Sequence, residues 1–193
     1  MRVRSLAAAA VVATALLAGC SSGGDGLPPS SSVGYVEGDG SYSEIPAAER
    51  TTTVTLSGTT AEGGTVDLDT LRGKPVVLNL WFADCAPCRA EAPTLEQVAT
   101  QYAGRASFLG INTGRDDADR VLAFQKAHGV TYPSILDDDG SAMLALRGVA
   151  PRATPTTVVL DARGRVAAQY AGKIDSTTLG ELIDGALDTG TPA

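Results

Sequence analysis

The chain has 193 residues, 44% apolar and 19% charged, which is material for one ordinary domain with an appendage and too apolar for wholesale disorder. Fifteen Lys and Arg against 22 Asp and Glu give a formal charge of −7, which argues against general nucleic-acid binding, because phosphate affinity needs clustered cations. Three cysteines and one histidine exclude a disulfide-stapled miniprotein and a histidine-rich metal cage.

Residues 1–20 read as an address rather than as fold. Arg2 and Arg4 precede an apolar run, 6–18, broken only by Thr14. That run suits a secretory hydrophobic region and falls short of the ~20 residues of a membrane span. It ends in Leu17-Ala18-Gly19-Cys20, which resembles the lipobox of bacterial lipoproteins. The resemblance implies cleavage before Cys20, lipid on that cysteine, and stable anchoring at the outer face of the cell membrane by two acyl chains. A plain signal peptide or a buried amphipathic helix is the alternative. Without residues 1–19 the formal charge is −9, so anionic headgroups would repel the chain and the lipid would have to hold it. Ten of the twelve residues 21–32 are Ser, Gly or Pro, a composition that cannot order itself. Residues 33–50 show little periodicity, although Tyr35, Val36, Tyr42 and Ile45 are candidates to dock on the domain. The expected division is a signal peptide at 1–19, a lipidated tether at 20–50 and one domain at 51–193.

From residue 51 the texture changes. Alternation at 53–57 predicts a strand, and 65–68 its short antiparallel partner. The unbroken apolar run 76–82 predicts a central strand buried on both faces. A helix follows at about 88–102, with Pro93 inside it. A strand at 107–112 and a helix at about 117–128, closed by Gly129, come next. A strand at 134–136 and a short helix around 141–146 lead to two strands, 156–160 and 165–170, joined by an Asp-Ala-Arg-Gly turn. Ser176 is placed to cap a last helix, 177–187, with Leu179, Leu182, Ile183 and Ala186 on one face. This order describes an α/β sandwich with parallel crossovers first and an antiparallel hairpin last.

Cys85-Ala86-Pro87-Cys88, between the buried strand and a helix start, is the informative stretch and reads as a redox pair. Unpaired N–H groups and the helix dipole favour a thiolate at Cys85. Cys88, one turn on, is placed to attack a mixed disulfide and release the product. A permanent structural disulfide and half of a zinc site are the competing readings; zinc needs two more ligands, and His128 is the only histidine. Glu91 lies one turn beyond Cys88 on the same face, either to exchange a proton with the inner thiol or to satisfy the helix start.

Residues 74–187 resemble the extracytoplasmic thioredoxin-like family of TlpA, ResA and the cytochrome-c-maturation thioredoxins of DsbE or CcmG type. The motifs run in order: Gly73-Lys74-Pro75 before the core strand, Trp81, Cys85-Ala86-Pro87-Cys88, Glu91, Asn112, Gly129-Val130-Thr131-Tyr132-Pro133, Thr154-Pro155-Thr156 and Asp161 with Gly164. The resemblance implies an α/β thioredoxin-like fold, a central mixed sheet flanked by helices, here with an extra N-terminal β-hairpin. It implies Cys85 as an exposed nucleophile, Cys88 as resolving thiol, Glu91 as proton handler and Pro155 as a cis-proline against the disulfide. Thr154 would offer its backbone to a substrate strand, and Trp81 and Asp84 would border the substrate. No cofactor is implied beyond the Cys85–Cys88 disulfide. The implied partners are disulfides of exported proteins, including apocytochrome c, and a membrane thiol donor of CcdA or DsbD type. A disulfide-forming oxidant and a non-enzymatic haem or copper chaperone are the alternatives. Asp84 departs from the family, which has a bulky residue before the first cysteine; its charge is expected to oppose the helix dipole and disfavour the Cys85 thiolate.

Overall fold

The computed structural model describes residues 38–187; Cys20, the lipobox, Tyr35 and Val36 lie outside the described residues. In chain order the elements are β1 (Tyr42–Glu44), β2 (Ser57–Thr59), β3 (Thr65–Asp67), β4 (Val76–Trp81), α1 (Ala86–Gln101), β5 (Ser107–Asn112), α2 (Ala118–His128), β6 (Ser134–Leu136), α3 (Ser141–Ala145), β7 (Thr156–Leu160), β8 (Val166–Ala171) and α4 (Ser176–Leu187). The main sheet has the order β1-β8-β7-β4-β5-β6, and β2-β3 form the separate hairpin.

All six residues of β4 are buried, as their unbroken apolarity predicts. Alternation sends Val76, Leu78 and Leu80 to one face of the sheet and Val77, Asn79 and Trp81 to the other. The first set packs with Leu109, Ile111, Val158 and Leu160, under Leu56, Leu68 and Leu146. Val77 and Val159 pack against Leu95 and Val98 of α1 and Leu179, Leu182 and Ile183 of α4. Parallel pairing of β4 with β5 and of β5 with β6 requires the crossovers made by α1 and α2. On its other edge β4 pairs antiparallel with β7, and β7 with β8. This is the thioredoxin-like arrangement implied by the resemblance.

Three local features differ from the sequence reading. The strand expected at 53–57 begins only at Ser57; Thr53 instead bridges to Arg165 and Val54 N–H donates to Gly164 O. The residues before the hairpin therefore serve the main sheet. The cap of α4 is Asp175, not Ser176: its carboxylate accepts from Thr177 N and Thr178 N, at 2.9 and 3.0 Å. A carboxylate at a helix start also gains from the dipole, which a serine does not.

The third feature is β1, which lies inside the stretch read as tether. Its three side chains are exposed, so no hydrophobic pattern marks it. It joins the sheet by pairing antiparallel with β8, with Tyr42 opposite Tyr170 and their rings stacked at 6.4 Å. Arg50 fastens the segment. It is 6% exposed, donates to Ile45 O and Gly185 O, both at 2.9 Å, and faces Asp161 at 3.8 Å. A buried guanidinium is tolerable only when so partnered. Arg50→Ala leaves these acceptors without their donor and is expected to cost about 2–4 kcal/mol. Urea unfolding of the oxidised protein measures it; an unchanged midpoint would mean that the segment is not anchored through this side chain.

Candidate active site

Strand β4 delivers the chain to the start of α1. After Trp81 the backbone turns, Cys85 N–H donates to Phe82 O at 3.2 Å, and Cys85 becomes the N-cap of the helix. Its sulfur accepts from Cys88 N–H at 3.2 Å. Pro87 sits in the first turn, where a missing N–H leaves nothing unsatisfied. Cys85 and Cys88 are joined as a disulfide with Cα atoms 5.2 Å apart. Both are buried, at 0% and 1% exposure. This corrects the exposed Cys85 implied by the resemblance: its sulfur is turned back onto the helix start, within a cluster that includes Ala61, Trp81, Phe82 and Phe124.

The loop before the cysteine is held from the start of α2 and the turn that leads into it. Asp116 is 6% exposed. Its Oδ2 accepts from Ala83 N–H at 2.6 Å and from Asn112 Nδ2 at 2.8 Å. Its Oδ1 accepts from Arg120 Nε at 2.8 Å. Arg120 also pairs with Asp84. Asp84, expected to oppose the helix dipole at Cys85, thus has a guanidinium partner that offsets part of its charge. Asp116 and Arg120 were not singled out in the sequence. Their i,i+4 spacing was the available signal, but their tie to residues 83 and 84 is tertiary.

Trp81, expected at the substrate, is 4% exposed and packs on Phe124 with ring centroids 4.1 Å apart. It supports the dithiol from within the core. Gly110 makes room for it: a Cβ at that position would collide with Trp81 Nε1 and Ser134 Oγ. The Thr154–Pro155 peptide bond is cis, as the resemblance implies. Pro155 is buried and Thr154 half-buried. Among the described residues, no group of three or more His, Cys, Asp or Glu is placed to hold a metal ion.

Glu91 is 1% exposed. One carboxylate oxygen accepts from Asn79 Nδ2 at 2.8 Å and the other from Ile174 N–H at 3.1 Å. Burial raises its pKa from the ordinary 4.5 to about 7, against the opposing pull of those hydrogen bonds and of Lys173. Asn79 also lines a small cavity with Cys88, Tyr132 and Ser134, so one amide borders both the carboxyl and the inner cysteine.

The Redoxin family model matches residues 43–183. The chain belongs to the Redoxin family. A thiol-disulfide oxidoreductase ResA of Bacillus thuringiensis (strain Al Hakam) is 30% identical over 135 residues, which is 69% of this chain and 73% of the relative. Among solved structures, a DsbF homologue from Corynebacterium diphtheriae superposes with a TM-score of 0.70 at 31% identity, over 78% of this chain and 99% of the other. A secreted Mycobacterium tuberculosis disulfide oxidoreductase homologous to E. coli DsbE gives a TM-score of 0.60 at 28% identity, over 67% and 94%. The protein is thus a thioredoxin-like thiol–disulfide oxidoreductase of the ResA and DsbE type. Its disulfide stands beyond the end of the interior strand β4, where the Redoxin sheet hands over to α1.

The native state holds a proton on Glu91 more tightly than the unfolded chain does. Its contribution to stability is therefore fully present below pH 4.5 and is lost as pH rises through about 7. The shift corresponds to about 3 kcal/mol at most. Thermal melts of the oxidised protein are expected to show this loss and Glu91→Gln to abolish it; parallel pH profiles for the two proteins would refute the shifted carboxyl. In the reduced protein, Arg120→Ala leaves the Asp84 charge unbalanced. The pH midpoint of iodoacetamide alkylation at Cys85 is expected to move up by less than about one unit. A midpoint that stays in place would show that the pair does not reach the sulfur.

Proposed function

We propose that this protein is a lipid-anchored, extracytoplasmic reductase of disulfides in exported proteins, with apocytochrome c among its substrates. The observation that carries this reading is the Cys85–Cys88 disulfide across the start of α1, with the buried carboxyl of Glu91 one turn deeper. The secreted M. tuberculosis relative supports an extracytoplasmic setting, and the lipobox-like sequence ending at Cys20 supports the anchor. No helix among the described residues is long and apolar enough to cross a membrane.

The reaction begins from the reduced dithiol. The Cys85 thiolate attacks one sulfur of the substrate disulfide, forming a mixed disulfide and releasing a substrate thiolate, which takes up a proton. Cys88 gives its proton to the ionised form of Glu91 and attacks Cys85 Sγ. The Cys85–Cys88 bond forms, the mixed disulfide breaks, and the second substrate thiolate leaves with the proton returned by Glu91, which is ionised again. Two electrons and two protons have passed to the substrate. A carboxyl that titrates near neutral pH suits this exchange. Thr154, beside the cis-proline Pro155, would align the substrate strand. Restoring the dithiol requires a membrane thiol donor of CcdA or DsbD type, which oxidises its own thiols in turn.

Cys88→Ser is expected to accumulate mixed disulfides through Cys85, and Cys85→Ser to form none, as read by non-reducing electrophoresis of membrane fractions. Absence of any trapped thiol partner would count against the reading. The reduction potential of the pair, measured against glutathione, is expected at or below about −230 mV. A value near about −120 mV would make the protein an oxidant that forms disulfides instead.

A further inference from the structure

An open groove of about 670 Å³ runs from Thr154 along α3 and the turn that follows it. Its chemistry departs from that of the chain. Arg115, Arg147 and Arg152 line it and no lining residue is acidic, although acids outnumber bases by 22 to 15 in the sequence. Between the cations lies apolar surface. Leu144 is 63% exposed and Met143 37%, two of the few large apolar side chains open to solvent among the described residues. Arg147 and Arg152 are exposed, and among the described residues neither is paired with a carboxylate.

The groove reaches the segments that flank the cysteine loop. The Arg115 guanidinium lies 4.7 Å over the Phe82 ring, in the loop that leads to Cys85. Thr113 N–H donates to Trp81 O at 3.1 Å. At the other end Thr154 leads into Pro155, and among the described residues nothing bonds to its backbone.

We infer that this groove docks an acidic segment of the substrate protein, carrying an apolar anchor, next to the substrate's cysteine. The inference rests on reading the dithiol as acting on protein disulfides, and it names which of them are preferred. An extended segment that pairs with the backbone of Thr154 presents alternate side chains to one side. Those side chains enter the groove. An aliphatic residue covers Met143 and Leu144, and carboxylates reach Arg147 and Arg152. A free small acid would use the cations but neither the apolar floor nor the unpaired backbone. The net negative charge of the chain repels an acidic partner at long range. The arginines therefore act as a short-range selector, sensitive to salt.

The test uses the full-length oxidised protein in non-ionic detergent and fluorescent, cysteine-free hexapeptides read by anisotropy. One peptide carries Asp, Glu and Leu, a second replaces the acids with Lys, and a third replaces Leu with Ser. The first is expected to bind about tenfold more tightly than either other peptide at 50 mM salt, with the advantage over the Lys peptide shrinking at 300 mM. R147E/R152E is expected to reverse the charge preference, and where charge reversal impairs folding R147Q/R152Q is expected to abolish it. Equal affinities for the acidic and basic peptides, or a preference that survives both double variants, would overturn the inference. So would self-association or binding to phosphatidylglycerol vesicles through these arginines without peptide preference, since either assigns the groove to another occupant. Reduction of the small neutral bis(2-hydroxyethyl) disulfide by the reduced wild-type protein tests the reductase reading alone. Its failure beside intact peptide selectivity would remove the reductase and leave the groove.

Discussion

A helix must find acceptors for the N–H groups of its first turn, and in α1 that requirement is met by sulfur. Cys85 Sγ accepts from Cys88 N–H, so the atom that caps the helix is also the atom that does chemistry. The spacing of the pair follows, because a residue three beyond a cap lies one turn away on the same side. Pro87 fits between them because that position asks for no donor. The strand before must then stop at a defined point. β4 stops it, and Asp116 fixes the intervening loop through Ala83 N–H. Capping, redox chemistry and the end of the central strand are one arrangement seen from three sides.

The opposite constraint acts one turn deeper, where a carboxyl is buried in an apolar interior. Such a group must be hydrogen-bonded, neutral or both. Glu91 has the Asn79 amide and the Ile174 N–H as partners, which soften the cost of burial without removing it. Asn79 can serve because alternation along β4 turns it to the same face as Val77 and Trp81, toward α1. The outer end of the site is thus arranged to hold negative charge, and the inner end to shed it.

The elements with strong local signals were legible in the sequence. The run at 76–82 had to be a buried strand, the glycine at 129 had to end a helix, and the cysteine spacing announced itself. β1 was not legible, because a three-residue edge strand with every side chain in solvent carries no periodicity. Asp175 was passed over for Ser176 because both are good caps and only the backbone path separates them. The pairing of Asp84 leaves no local sign, because its partner, Arg120, is distant in sequence and brought close only by the packing of α2. The exposure expected of Cys85 and the substrate contact expected of Trp81 fail for a related reason: whether a side chain beside an active loop faces out depends on what covers it. The groove along α3 had no sequence signature at all, since its arginines are scattered through ordinary surface segments.

Gly110 carries a consequence beyond its own strand. Nothing in the local backbone demands glycine there; the demand comes from Trp81 and Ser134, which occupy the space a side chain would need. A methyl group at this interior position would have to displace the indole. The indole leans on Phe124 of α2, and α2 leads back through Arg120 to Asp84. Substitution at a silent position in β5 would thus be felt at the cysteine loop. Variants there should show epistasis with residues of α2 to which they have no direct contact, and a screen for altered disulfide reactivity would recover them as readily as changes beside the sulfurs.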